Sequence, residues 1–267
     1  MNVIVFSKDR ACQLELFIRS MKIYFKEFKD NKINVLYTFS DKKFEEGYEE
    51  LKKIHNDVNI NYVQESKKFK DHVMLLMNPD DNYTVFFVDD IVFKNPFTMD
   101  SKQVRLFVGD ENILCVSLRL HTNLTYCYPA QIHMVPPKFE DNLTFRWMHE
   151  RGDYGYPMSL DGHIFRTKEI FPLLKVLTYT NPNSLESTLA YCPLNKPKMI
   201  CFEESAIMNL PVNRVQTFNT NICGNVSANF LNDQFLDGNI IDMEKMKGFK
   251  NISCHQEVDI NLIKING

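Results

Sequence analysis

Two adjacent carboxylates, Asp89 and Asp90, interrupt a stretch that is otherwise apolar: Phe86-Phe87-Val88-Asp89-Asp90-Ile91-Val92-Phe93. Burying unpaired carboxylates is costly, so such a pair calls for a cation or for strong hydrogen bonds. Consecutive strand residues point to opposite faces, so both carboxylates can ligate one ion only if the strand ends between them. The expected ligand is Asp90, with Asp89 behind it or acting through water. Oxygen ligands suit Mn²⁺ or Mg²⁺, usually shared with substrate phosphates. The competing reading is a strand cap or a salt bridge.

Other residues could surround such an ion. Gly152-Asp153-Tyr154-Gly155-Tyr156-Pro157-Met158-Ser159-Leu160-Asp161-Gly162-His163 clusters aromatic and small residues beside carboxylates. Aromatic rings stack on the CH faces of sugars, and Asp, Asn and His suit sugar hydroxyls; a plain Gly-rich hairpin is the alternative. Asn181-Pro182-Asn183 announces a helix whose buried face holds Leu185 and Leu189. Glu186 then stands either as a reactive carboxylate or as the partner of Asn183 in a capping box. Glu203 and Glu204 follow a short apolar strand and either carry chemistry or face solvent. His255 and the basic run Lys67-Lys68-Phe69-Lys70 complete the set, each with a solvated reading beside the functional one.

The elements that must position these residues are legible in the first hundred positions. Asn2–Phe6 is a continuous apolar run, as for a strand buried on both faces. Leu14, Phe17, Ile18, Met21, Phe25 and Phe28 then recur at helical spacing, with Asp9 as N-cap. A strand over 33–39, a helix with Phe44, Tyr48, Leu51 and His55 on one face, a strand over 58–63, a helix with Phe69, Val73, Leu76 and Met77, and a strand over 83–88 follow. This alternation predicts an α/β fold with a mostly parallel central sheet flanked by helices. Ligands of such sheets bind beyond the carboxyl ends of the strands. Those ends here are Ser7-Lys8-Asp9-Arg10, Ser40-Asp41, Gln64-Glu65-Ser66 and Asp89-Asp90, all polar after apolar runs. Beyond residue 100 the order becomes an irregular mixed half, with short strands expected over 114–118, 158–165, 199–202 and 207–215. The last 30 or so residues read as a loop-like tail folded back over the site.

A strand ending in Val88-Asp89-Asp90, fourth in a chain that opens Val-Ile-Val-Phe-Ser-Lys-Asp-Arg, resembles the metal motif of GT-A-fold, family 2-like nucleotide-sugar glycosyltransferases. The resemblance covers most of the chain through the order of its elements, while each motif is short. It implies a single unit over 1–267, with a nucleotide and metal half over about 1–95 and a sugar and acceptor half over about 100–267. It implies that Ser7, Asp9 and Arg10 hold the nucleotide, that Ser40 and Asp41 touch base or ribose, and that Lys70 faces the diphosphate. Asp90, Asp89 and His255 would hold the metal. Glu186 would serve as general base in an inverting transfer, with Glu204 second and Asp161 third; Asp161 would also hold a sugar hydroxyl. The implied partners are a nucleotide-sugar donor and a glycan or glycoconjugate acceptor. A nucleotide- or glycan-binding module of the same fold, without transfer, is the alternative.

Composition narrows the classes. The 267 residues carry 31 Lys+Arg against 34 Asp+Glu, a net charge of -3, which offers no basic surplus for nucleic acid. Hydrophobic residues at 44% with 24% charged fit a globular chain and exclude disorder. No apolar run reaches membrane-spanning length and the start lacks a secretory pattern, so no transmembrane segment is expected. The 7 unpatterned cysteines point to reduced thiols and a cytoplasmic location. P-loop, G-x-G-x-x-G, G-x-S-x-G and H-E-x-x-H motifs are missing, which leaves kinases, dinucleotide oxidoreductases, hydrolase elbows and zincins unsupported.

Overall fold

The computed structural model describes residues 1–66, 68–215 and 222–265. The chain runs β1 (Asn2–Lys8), α1 (Ala11–Tyr24), β2 (Ile33–Thr38), α2 (Lys42–Ile54), β3 (Ile60–Gln64), α3 (Phe69–Leu76), β4 (Tyr83–Val88) and β5 (Ile91–Phe93). It continues with α4 (Lys102–Gly109), β6 (Ile113–His121), β7 (Tyr126–Cys127), β8 (Ile132–His133), β9 (Thr144–Arg146), β10 (His163–Arg166), α5 (Thr167–Val176) and α6 (Pro182–Tyr191). The last elements are β11 (Lys198–Phe202), β12 (Ile207–Asn209), α7 (Ala228–Leu236), β13 (Asn239–Ile241) and β14 (Leu262–Lys264).

Eight strands form one sheet in the order β3-β2-β1-β4-β10-β6-β11-β9. β1 pairs in parallel with β2 and β4, β2 with β3, and β6 with β11, whereas β10 and β9 run antiparallel to their neighbours. The expected α/β class with a mostly parallel sheet therefore stands, and strands of both halves share that sheet. The chain leaves β1 toward β2 and β3, then returns to place β4 on the other side. A crevice opens at such a reversal, beyond the carboxyl ends. β10 enters the sheet from the same edge because it runs the other way. The residues just before it, Asp161 and Gly162, thus arrive where β4 delivers Asp89 and Asp90.

Apolar layers cover both faces. Val3, Val5, Phe17, Val85 and Phe87 belong to one core, and Ile4, Phe6, Leu36, Phe69 and Phe86 to the other. That is the alternation expected of a pleated strand buried on both sides.

Several boundaries differ from the sequence reading. Asp9 does not cap α1; the N-cap is Arg10, without a side-chain bond. Asp9 instead sits at φ 56° and accepts hydrogen bonds from the Ser40 backbone N–H at 2.6 Å and from the Ser40 hydroxyl, which pins the β1–α1 loop to the end of β2. α1 stops at Tyr24, because Phe25 pairs with Phe97 in an isolated bridge. Val58 is fully exposed and β3 begins at Ile60. The expected strand over 207–215 shrinks to β12, which pairs with β5 and ends before Pro211. The strand over 158–165 shrinks to β10; residues 158–162 form the turn that feeds it. The tail is less loop-like than expected, containing β13 and β14, which pair with each other. Among the described residues no helix is long and apolar enough to cross a membrane.

Candidate active site

A cavity of about 610 Å³ opens at the carboxyl edge and is lined from both halves, by Ser7, Arg10, Asp89 and Asp90 on one side and Asp161, Glu186, Asn209 and His255 on the other. That volume is in the range of small-molecule sites.

β4 ends at Val88, so Asp89 and Asp90 occupy a turn and escape the opposite-face rule. Asp89 is buried. Its Oδ2 accepts from the Ser7 hydroxyl at 2.9 Å and the Lys8 backbone N–H at 3.0 Å, and its Oδ1 from Arg10 at 3.0 Å. Burial raises the Asp89 carboxyl, while Arg10 pulls it back. Asp90 reaches further into the cavity. Its Oδ2 accepts from Arg10 at 3.2 Å and its Oδ1 from the Asn209 amide at 3.1 Å. One guanidinium thus compensates two carboxylates. Asn213 holds that guanidinium in place, accepting from Arg10 Nε at 2.9 Å.

The opposite wall is a second charge cluster. Arg119, buried on β6, donates to Asp161 at 2.9 Å and to Asp153 at 2.7 Å. His255 Nε2 lies 3.7 Å from the same Asp161 oxygen. Burial pushes the Asp161 carboxyl upward, against the pull of Arg119 and His255. Glu186 extends from α6, and its Oε1 accepts from the Ser159 hydroxyl at 3.0 Å and the Leu160 N–H at 2.9 Å. Burial, reinforced by the negative charge of Asp161, pushes the Glu186 carboxyl up to about 7. The capping-box alternative for Glu186 does not hold. Asn181 is the N-cap, its box partner is Ser184, and Pro182 takes the first helical turn.

Of the remaining candidates, Ser7 lines the cavity, whereas Ser40, Asp41, Lys70 and Glu204 do not. Ser7 bonds to Tyr48 as well as Asp89, and Ser40 is tied to Asp9. Asp41 caps α2 by accepting from the Lys43 and Phe44 N–H groups. Lys70 donates to the carbonyls of Lys175 and Leu177, away from the cavity. Glu204 sits in the turn after β11 with a long contact to Lys250 at 3.7 Å. Lys67 lies outside the described residues. Arg166 is buried beneath α4, donating to the Ile113 and Asp110 carbonyls, and so supports the fold. Asn209 and Asn213 gave no signal, since both fell inside the stretch 207–215 that read simply as a strand. Tyr48 read as plain core, yet its hydroxyl reaches Ser7 at 2.7 Å.

A divalent cation fits this wall in part. No group of three His, Cys, Asp or Glu that could hold a metal occurs among the described residues. Asn209 Oδ1 is buried and without a hydrogen-bond partner beside Asp90. Oxygens of that kind suit a hard cation that brings substrate phosphates as its remaining ligands.

The edge is thus a polar, doubly acidic crevice beyond the carboxyl ends of the strands, the place where parallel α/β sheets bind their ligands. No family model matches the chain. It is similar to the bifunctional glycosyltransferase pgtA of Dictyostelium discoideum, at 26% identity over 253 residues, covering 80% of this chain and 32% of that protein. The chain spans about a third of that relative's length. Among solved structures it is similar to Staphylococcus aureus TarS 1-349, at 12% identity and TM-score 0.49, over 78% of this chain and 59% of the other. A second is the mannosyltransferase PcManGT from Pyrobaculum calidifontis in complex with GDP-Man and Mn²⁺, at 14% identity and TM-score 0.31, over 43% and 34%.

Proposed function

We propose that this chain is a glycosyltransferase that moves a sugar from a nucleoside-diphosphate sugar to a hydroxyl of a glycan or glycoconjugate, with inversion and with a divalent cation. The carrying observation is that one cavity joins Asp89 and Asp90, at the end of β4, to Glu186 and Asp161 across from them. The sequence similarity to a bifunctional glycosyltransferase supports the same reading. Residues 1–267 act as one unit, with the nucleotide held by roughly the first 95 residues and the sugar and acceptor by the rest.

Each residue then has a role set by its surroundings. Arg10 keeps the Asp89–Asp90 turn in one geometry and puts positive charge beside the diphosphate. Asp90 and Asn209 would hold Mn²⁺ or Mg²⁺; such an ion would offset the charge of the departing diphosphate. Asp161, anchored by Arg119, accepts hydrogen bonds from sugar hydroxyls. Glu186 takes the proton of the acceptor hydroxyl at its free Oε2. A carboxyl near 7 suits that task, because it is half deprotonated at neutral pH and basic enough to accept a proton.

The test is turnover of nucleotide sugars by the full chain with Mn²⁺, read as released nucleoside diphosphate and a glycosylated product by mass spectrometry. Asp90→Ala should abolish both. Full activity in that variant rejects the assignment. Metal-linked binding of a nucleotide sugar with no turnover on any donor would favour a binding module instead.

A further inference from the structure

Among the uncommitted polar side chains that line the cavity are Lys8, Thr38 and Glu65. They form a row across β1, β2 and the end of β3. Lys8 pairs with Thr38 in the β1–β2 register. Tyr37 pairs with Gln64, and the Glu65 N–H donates to the Tyr37 carbonyl at 2.8 Å, which carries the ladder on and sets Glu65 beside Thr38. Side chains two residues apart on a strand share a face. The row therefore lies on the face of Phe6 and Leu36, which Phe69 also joins, and all of these line the cavity. Among the described residues no hydrogen bond or ion pair takes up the Lys8 ammonium, the Thr38 hydroxyl or the Glu65 carboxylate. Lys8 is nonetheless close enough to lower the Glu65 carboxyl, which burial raises. Ser40 and Asp41, by contrast, are spent on the Asp9 loop and the α2 cap.

An apolar patch topped by an ammonium at one end and a carboxylate at the other suits a flat heterocycle. Its ring rests on Leu36 and Phe69, and its edge meets the row. The ammonium needs an acceptor on that edge, and the two carboxylate oxygens need adjacent N–H donors. Guanine presents this pattern, with O6 followed by N1–H and the N2 amino group. Uracil has carbonyl oxygens at both ends of its edge, so one would face the carboxylate. Cytosine offers one amino group to it, and adenine has no pair of adjacent donors.

We propose that the donor nucleotide is a guanosine diphosphate compound, with Lys8 on O6, Glu65 on N1–H and N2–H, and Thr38 between them. This rests on the glycosyltransferase reading and specifies its substrate. A site built to bond particular polar groups rejects analogues that leave its own groups unpaired.

Calorimetry of the full chain with GDP, UDP, CDP and ADP, each with Mn²⁺, tests the proposal. GDP should bind at least about tenfold more tightly than the other three. Glu65→Gln should erase that preference by weakening GDP and tightening UDP, whose carbonyl the new amide can bond, and Lys8→Met should weaken GDP more than ADP, which has no carbonyl to lose. Circular dichroism and thermal melting verify that both variants are folded. UDP, CDP or ADP binding as tightly as GDP overturns the base assignment and leaves the transferase reading standing. A GDP preference that survives Glu65→Gln overturns the role of Glu65. Absence of binding by all four diphosphates removes the transferase reading together with this inference.

Discussion

Arg119 and Asp161 meet at 2.9 Å beneath the floor of the cavity, and the same guanidinium holds Asp153 at 2.7 Å. All three groups are buried. Removing the cation leaves two buried carboxylates without compensation, which typically costs about 3 to 5 kcal/mol. Arg119→Met should therefore lower the melting temperature sharply. Arg119→Met combined with Asp153→Asn should recover part of the loss, because one of the stranded charges is gone. A double variant no more stable than Arg119→Met would show that the pair with Asp153 contributes little.

The second prediction concerns Glu186, whose carboxyl lies near 7. A base must be deprotonated to act, so kcat/KM should fall as pH drops through about 7. Glu186→Gln should remove that limb and lower the rate by roughly 10² to 10⁴. Stability carries the opposite slope. The unfolded carboxyl ionises near its ordinary 4.5 and the folded one near 7, so the folded state holds an extra proton between these values. Stability conferred by the protonated group is full below about 4.5 and is lost as pH rises to about 7. Melting curves across that window should show a smaller decline in Glu186→Gln than in the parent chain.

The unequal legibility of the site has a physical basis. β1 to β4 are local apolar runs with period-specific helices between them, and local pattern shows such elements directly. Asp89 and Asp90 stood out because charge inside an apolar run has a cost that needs an explanation. The partner of that charge was hidden. Arg10 lies 79 positions from Asp89, and nothing in its own neighbourhood indicates the contact. Asp161 and Glu186 were visible as candidates, but their opposed placement depends on β10 entering the sheet antiparallel, a tertiary fact. Ser40, Asp41 and Asp9 illustrate why a polar strand end does not by itself reveal its partner. Polar residues at a strand end serve loops and caps as readily as ligands, and here the loop and the cap took them.

A third prediction follows from Arg10. Its guanidinium lies 3.0 Å from Asp89 and 3.2 Å from Asp90. Arg10→Met should leave adjacent carboxylates in mutual repulsion and destabilise the chain. A divalent cation can then take over the lost compensation. Mn²⁺ should raise the melting temperature of Arg10→Met by more than it raises that of the parent chain. Equal shifts would mean that the cation does not take over the compensation that Arg10 supplies.

Gly162 supplies the fourth. It joins Asp161 to β10 at φ 73°, and its N–H donates to the Phe86 carbonyl at 2.8 Å. A Cβ built there would stand 2.3 Å from Ile207 Cδ1 and 3.2 Å from Phe87 Cε1. The isoleucine methyl can rotate, but the phenylalanine ring is packed in the core, and the left-handed backbone is unfavourable for any residue with a Cβ. Gly162→Ala should therefore cost about 1 to 3 kcal/mol of stability. The strain falls one residue from Asp161, so relief by backbone rotation would turn that carboxylate away from Arg119. Donor affinity should fall along with the melting temperature. Ile207→Val in the Gly162→Ala background shortens the clashing side chain, and should restore part of the stability while leaving the dihedral strain, and with it the affinity loss, in place.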